Sequence, residues 1–126
     1  LQEVYRVLKP GCRVVLYEVC GHKNTPIYFP VPWAQDSTIS FLVPPDAFRD
    51  VITSAGFDID VWNDKTDLAQ KAFSQMTEPK GEPSLPELGV HMLVGHDILT
   101  KAYNLHRNLG EERVSLIETV AVKPKK

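Results

Sequence analysis

Residues 1–19 read LQEVYRVLKPGCRVVLYEV, and this stretch decides the fold. Leu1, Val4, Tyr5 and Leu8 recur at the spacing of one helical face. Lys9-Pro10-Gly11 ends the pattern, and Gly11 suits the left-handed position just past a helix end. Residues 13–19 are then almost continuously apolar and rich in β-branched and aromatic side chains. Such a run predicts a strand buried on both faces, as in a parallel sheet covered by helices. No Ser, Thr, Asp or Asn precedes the helix as an N-cap, and the first residue is Leu1. A helix that starts without its cap predicts a chain cut out of something longer.

Outward from that stretch, residues 21–45 lose all periodicity. Pro26, Pro30, Pro32, Pro44 and Pro45 forbid regular helix and most ladder pairing. The same segment carries Ile27, Tyr28, Phe29, Val31, Trp33, Phe41 and Leu42. It is expected to pack across a core or to line a pocket. Asp46 is the expected N-cap of a helix with Phe48, Val51, Ile52 and Ala55 on one face and Gly56 at its end. Phe57, Ile59 and Val61 alternate with Asp58, Asp60 and Trp62, which predicts a strand with one wetter face near a sheet edge. Thr66 or Asp67 starts a short helix with Leu68, Ala69, Ala72, Phe73 and Met76 inward. Residues 77–88 read as a surface loop, and residues 90–95 as a short helical turn. Asp97 caps a helix that presents Ile98, Ala102, Leu105 and Leu109 and stops at Gly110. Residues 113–122 form a long alternating strand, followed by a basic tail.

Strand–helix–strand connections favour parallel neighbours. Three strands make a thin sheet, and the doubly apolar strand 13–19 wants a neighbour on each side. The chain offers too few strands to supply both, a second sign of a missing half.

The 126 residues suffice for one domain and not for two. With 14 Lys and Arg against 16 Asp and Glu, the net charge is -2, which lacks the basic footprint of a nucleic-acid binder. No apolar run approaches the ~20 residues of a membrane span, and a signal-peptide layout is missing. A cytoplasmic location is expected. Cys12 and Cys20 flank the first strand, whose residue steps of ~3.3 Å hold them more than ~20 Å apart, beyond the ~7 Å limit for a bridge.

The stretch 1–19 resembles the helix–turn–strand late in class I S-adenosylmethionine-dependent methyltransferases, which use a Leu-x-Pro-Gly-Gly turn there. Here the turn is Lys9-Pro10-Gly11-Cys12, so the second glycine is replaced. The resemblance runs on through PIYFPVPWAQDSTISFLVPPDAFRDVITSAGF (26–57), LGVHMLVGHD (88–97) and NLHRNL (104–109). It is closest in kind to sarcosine/dimethylglycine N-methyltransferases and ubiquinone-biosynthesis-type methyltransferases. It implies an α/β fold: the C-terminal part of a Rossmann-like methyltransferase sheet, three strands with flanking helices. The last strand runs antiparallel, inserted between the other two. Residues 1–126 are then one domain portion, with 20–45 a proline-rich substrate-side loop and 65–110 a helical substrate-side insertion. The cofactor of that family, S-adenosylmethionine, sits mainly on a Gly-x-Gly-x-Gly loop in the other half. The glycines here stand at 11, 21, 56, 81, 89, 95 and 110, and no two are separated by a single residue. The resemblance therefore implies methyl transfer to a small-molecule acceptor, an amine, by an intact enzyme, with the chain alone inactive.

The candidate binding residues are Glu18, Tyr28, Trp33, His91 and Arg107. Glu18 stands at the carboxyl end of the first strand, where α/β folds place ligands. It can hold an ammonium group or accept a proton, or else cap a helix or pair with an arginine. Tyr28, Phe29 and Trp33 can hold a methylated ammonium or a sulfonium by cation–π attraction, worth roughly 0.5–2 kcal/mol, or anchor the loop. Arg107 can take a substrate carboxylate bidentately. His91 can be a base or a polar wall, and exposed or capping roles remain open for both. His96, beside Asp97, reads as a helix-start residue. The histidines and cysteines lack zinc-ligand spacing, so no metal is expected. The competing expectation is a non-enzymatic domain. The unpaired edge of residues 13–19 then joins a second copy into a homodimer.

Overall fold

The computed structural model describes residues 1–22, 24–77, 89 and 91–126; side chains of residues 75–77 and 91 lie outside the description. The described chain forms two compact units. The first comprises Leu1–Asn24, Leu42–Thr66 and Val114–Lys126, and the second Thr25–Phe41 and Asp67–Arg113. The segments 20–45 and 65–110 thus contribute most of the second unit.

The first unit is built on strands β1 (Arg13–Gly21), β2 (Asp58–Asp64) and β3 (Val114–Val122), in the order β1-β3-β2. Both β1 and β2 run antiparallel to β3, so they are parallel to each other with β3 inserted between them. This is the arrangement expected for the last strand. The parallel pair joined through a helix is present, but its members are not neighbours.

Helix α1 (Gln2–Val7) presents Leu1, Tyr5 and Leu8 to the core, whereas Val4, expected on the same face, is exposed. Its end differs from the expectation. Leu8 already turns extended, and Gly11 belongs instead to the turn Lys9–Cys12. Cys12 N–H donates to the Lys9 carbonyl at 3.1 Å, and Gly11 has φ +81. Proline second and a positive-φ glycine third are what a type II turn demands. The last carbonyls of α1 are met from β3's end, where Lys123 Nζ donates to Tyr5 O at 2.7 Å and Leu8 O at 2.9 Å.

Strand β1 is not buried on both faces. Val14 and Leu16 pack on the core, whereas Val15 and Tyr17 are 66% and 54% exposed. The strand buried on both faces is β3, where Val114, Ser115, Leu116 and Ile117 are all buried. A central strand has neighbours on both edges; an apolar run alone does not tell centre from edge.

Helix α2 (Pro45–Ser54) covers the inner face with Phe48 and Ile52. Its N-cap is Pro44, with Pro45 opening the first turn, where a missing N–H costs nothing. Asp46 therefore lies inside the first turn, favourable to the helix dipole, and is not the cap. Val51 is 49% exposed and lies off the buried face. Strand β2 is an edge strand as expected, but its alternation breaks. Ile59 faces Ala121 and Val61 faces Val120, so Asp60 is an extra, bulged residue. The bulge changes the phase. Trp62 joins Ile59 on the core face, 5.8 Å from the Phe48 ring, rather than lying on the wetter face.

In the second unit, α5 (Ile98–Gly110) buries Leu105 and Leu109 and, less expectedly, Lys101 and Asn108. Asp97 precedes it without a side-chain cap; its carboxylate pairs with Lys101 Nζ at 3.1 Å. Gly110 ends the helix from within, and the positive φ of the exit falls on Glu112. Helix α3 (Thr66–Thr77) buries Ala69, but Leu68 is 60% exposed and Ala72 is exposed too, contrary to expectation. The Met76 side chain and the loop expected over residues 78–88 lie outside the described residues. The helical turn expected at 90–95 is α4 (His91–Val94).

The proline-rich segment of this unit is packed through asparagines of α5. Asn108 Oδ1 accepts from the Tyr28 N–H at 2.9 Å, while its Nδ2 donates to the Tyr28 carbonyl at 3.1 Å. Asn104 Nδ2 donates to the Pro30 carbonyl at 2.9 Å. Side-chain amides thus replace the ladder that the prolines forbid. Among the described residues, no helix is long and apolar enough to cross a membrane.

Candidate functional site

The carboxyl ends of β1 and β2 lie side by side across β3. Glu18 and Asp64 both stand opposite Ile117, and Cys20 stands opposite Ser115. Residues directly opposite in an antiparallel pair share a face, so these side chains form successive rows on the face that α2 covers lower down. Beyond the strand, His22 Nε2 lies 2.9 Å from Ser115 Oγ.

The two carboxylates differ in what they do. Asp64 accepts from the Thr66 N–H at 2.9 Å and from its hydroxyl, and so opens α3. The Thr66 hydroxyl in turn accepts from Leu116 N–H at 3.0 Å. Glu18 is exposed and has no hydrogen bond or ion pair among the described residues. In the next row, burial pushes the Cys20 thiol up to about 11, with the charges of Glu18 and Asp64 adding to the effect. Cys12 is exposed, and both cysteines are free. A thiolate-selective reagent at pH 8 is therefore expected to label Cys12 and spare Cys20 until the protein is unfolded. Two equally fast labels would contradict that placement, as counted by mass spectrometry.

The remaining candidates belong to the second unit. Tyr28 and Arg107 are brought together, but with each other. The Arg107 and Arg113 guanidinium groups lie 3.7 and 4.3 Å from the centre of the Tyr28 ring. The Tyr28 hydroxyl donates to Glu111 at 3.0 Å and accepts from Arg113 at 2.9 Å. Arg107 Nε donates to Glu111 at 2.7 Å. The ring face and the guanidinium fork expected to meet a substrate are thus engaged within the chain. Trp33 Nε1 donates to Ser40 Oγ at 3.1 Å, an anchoring contact. The His91 side chain lies outside the described residues, and His96 is exposed just before Asp97. No group of three metal-ligating side chains occurs among the described residues.

Sequence reasoning missed His22, Ser115, Asn104 and Asn108. The asparagines carried a signal, since they stand four apart in NLHRNL and so share a helical face. His22 and Ser115 are 93 residues apart and carried none.

A dinucleotide-like cofactor needs glycines whose missing side chain leaves room for the ligand. Here that room is taken. A Cβ at Gly21 would meet Leu42 at 3.1 Å, at Gly11 Lys125 at 3.3 Å, at Gly56 Tyr5 at 3.0 Å and at Gly110 Gln70 at 3.0 Å. These glycines do not fit S-adenosylmethionine as a cradle.

No family model and no curated protein matches the chain. Solved structures do. A protein of Galdieria sulphuraria that carries the name sarcosine dimethylglycine methyltransferase superposes with a TM-score of 0.67 at 12% identity, over 99% of this chain and 46% of its own. Phosphoethanolamine N-methyltransferase 2 of Haemonchus contortus, solved with phosphomonomethylethanolamine and S-adenosylhomocysteine, gives 0.64 at 13% identity, over 98% of this chain and 29% of its own. The [4+2]-cyclase SpnF gives 0.61 at 21% identity, over 99% and 44%. The chain spans less than half the length of each, and at these identities the likeness is one of fold: an α/β arrangement matching part of the class I methyltransferase fold.

Proposed function

We propose that the chain is the acceptor-side portion of a class I S-adenosylmethionine-dependent methyltransferase acting on a small amine. The observation that carries this reading is β3, inserted antiparallel between the parallel β1 and β2, with β1 following the Lys9-Pro10-Gly11 turn. Fold alone does not fix chemistry, and a cyclase shares this one. Two of the three similar structures, however, carry names that specify amines as acceptors. Glu18 offers an amine what it needs, an exposed carboxylate at the carboxyl end of a strand with no partner among the described residues.

In this reading S-adenosylmethionine supplies an electrophilic methyl group on sulfur. The cofactor's glycine loop comes from sequence other than these residues. The chain's own part is to hold the amine and exclude water, which is most of what methyl transfer requires of a protein. The test is transfer of labelled methyl from S-adenosylmethionine to sarcosine, dimethylglycine and phosphomonomethylethanolamine. Label is expected on an amine when this sequence follows a glycine-loop portion, and on none with the 126-residue chain alone. A folded, cofactor-bound protein that labels no amine contradicts the proposal.

A second reading has its own observation. The outer edge of β1 has no partner strand among the described residues, and Val15 and Tyr17 beside it are exposed. Such an edge pairs readily with another chain. A non-enzymatic homodimer joined at β1 predicts a concentration-dependent dimer in sedimentation that Val15→Lys abolishes. A monomer at high concentration sinks it.

A further inference from the structure

The Ser115 hydroxyl and the His22 ring share one hydrogen bond, whose direction depends on the tautomer of the ring. Ser115 is 7% exposed, and its Oγ lies 2.9 Å from His22 Nε2 with no other partner among the described residues. A buried hydroxyl places its hydrogen on an acceptor, and Nε2 is the acceptor at hand. With the hydroxyl as donor, Nε2 accepts, and the ring proton of the neutral imidazole resides on Nδ1. Nδ1 has no partner among the described residues, so it is a free donor at the carboxyl edge of the sheet. Arg107, the residue expected to take an acidic group, is bound to Glu111.

We infer that His22, oriented by Ser115, is an oxyanion subsite, so that the acceptor is a zwitterion that gives its ammonium proton to Glu18, freeing the nitrogen lone pair that takes the methyl group, and holds its carboxylate or phosphate at His22. This rests on the methyl-transfer reading above. Four residue steps put the two Cα atoms ~13 Å apart. Two charge-assisted hydrogen bonds of ~2.8 Å and one small zwitterion cover most of that distance, and the reach of the two side chains along the strand covers the rest. Cys20 lies between them as a buried, neutral thiol that does not repel the acid group. Ser115 is a positioning residue: it acts through the imidazole and need not touch the acceptor.

Two measurements test the subsite. The first is nitrogen NMR of the histidine-labelled chain at pH 8. His22 is expected with its proton on Nδ1, and Ser115→Ala should release that preference; a proton on Nε2 in the unaltered chain overturns the assignment, whatever the activity. The second is steady-state methylation by the intact protein of dimethylglycine, phosphodimethylethanolamine and the uncharged-tail analogue dimethylethanolamine. His22→Phe is expected to raise KM for the acidic acceptor about 10- to 100-fold, the worth of a hydrogen bond to a charged group, with kcat and the dimethylethanolamine KM nearly unchanged. His22→Gln, which keeps a donor, should recover part of the loss. The acidic acceptor that shows the effect identifies carboxylate or phosphate. Equal effects on acidic and uncharged acceptors, or none on either, overturn the subsite and leave methyl transfer standing. Label on no amine overturns the methyl-transfer reading and this inference with it.

Discussion

Asn108→Asp is expected to destabilise the second unit by about 3 kcal/mol at pH 7 and by much less near pH 4. The amide is fully buried and brackets Tyr28, accepting from its N–H and donating to its carbonyl. An ionised aspartate keeps the first bond, loses the second and sets a charged oxygen against the Tyr28 carbonyl. Burial and that clash of acceptors both favour the neutral acid, so the folded pKa lies above the ordinary aspartate value of about 3.9. The sign follows. Below that ordinary value the acid is neutral in both states, and its O–H donates where the amide did. The deficit opens above it and becomes complete as pH passes the raised folded value. Urea midpoints of variant and parent at the two pH values measure this. Asn108→Leu, which cannot titrate, should show a deficit of similar size at both. An Asn108→Asp deficit that does not change with pH would contradict the bracket. Hydrogen exchange at the Tyr28 amide should accelerate in both variants, because this contact ties the proline-rich segment to α5.

Gly56→Ala is expected to cost about 2–4 kcal/mol, the sum of left-handed strain and overpacking. The residue has φ +100 at the end of α2, and an added Cβ would lie 3.0 Å from the Tyr5 ring. That ring cannot retreat freely. It stands edge-on to Phe57 at 5.0 Å and lies under Lys123 Nζ at 4.5 Å. The two contributions separate in a Tyr5→Ala background, where the clash is gone and about 1–2 kcal/mol of backbone strain remains. Thermal or urea unfolding of the four proteins closes the cycle. An equal cost in both backgrounds would mean that Tyr5 does not pack on Gly56.

How much of this was legible in the sequence depended on whether the signal was local. The helices over residues 2–7 and 98–110, the core contacts of Leu1, Tyr5 and Leu8 and the extent of the last strand are set by neighbours a few residues away, and they appear where the periodicity puts them, although Val4 is exposed and the last strand is buried on both faces. The failures have physical causes. The apolar run 13–19 points to a strand buried on both faces but does not report its place in a sheet; that place belongs to β3, inserted late in the chain. Strict alternation puts Trp62 on the wetter face, but one bulged residue, Asp60, reverses every side chain after it. Asp46 was given the cap because prolines at a helix start compete with a side-chain cap through backbone geometry alone. At the candidate site, Glu18 was legible from its place at a strand's carboxyl end. The engagement of Tyr28 and Arg107 with Glu111, and the His22–Ser115 contact, depend on tertiary proximity that periodicity does not encode.

The two units also divide the chemistry. The first carries the open groups, Glu18 and His22 Nδ1, on a sheet whose core residues Ile52 and Ile117 are essentially inaccessible. A packed support of that kind is what a positioning site requires. In the second unit, Tyr28, Trp33 and Arg107 make hydrogen bonds within the unit.

The central claim is that these residues supply the acceptor side of a methyltransferase and not its cofactor cradle. Calorimetric titration of S-adenosylmethionine into the 126-residue chain tests it most directly. The account predicts no saturable heat from the chain alone, and one-site binding once the sequence is joined to a glycine-loop portion. Saturable one-site binding by the chain alone would contradict it, because a cofactor pocket would then exist where Leu42, Tyr5 and Gln70 fill the space beside the glycines.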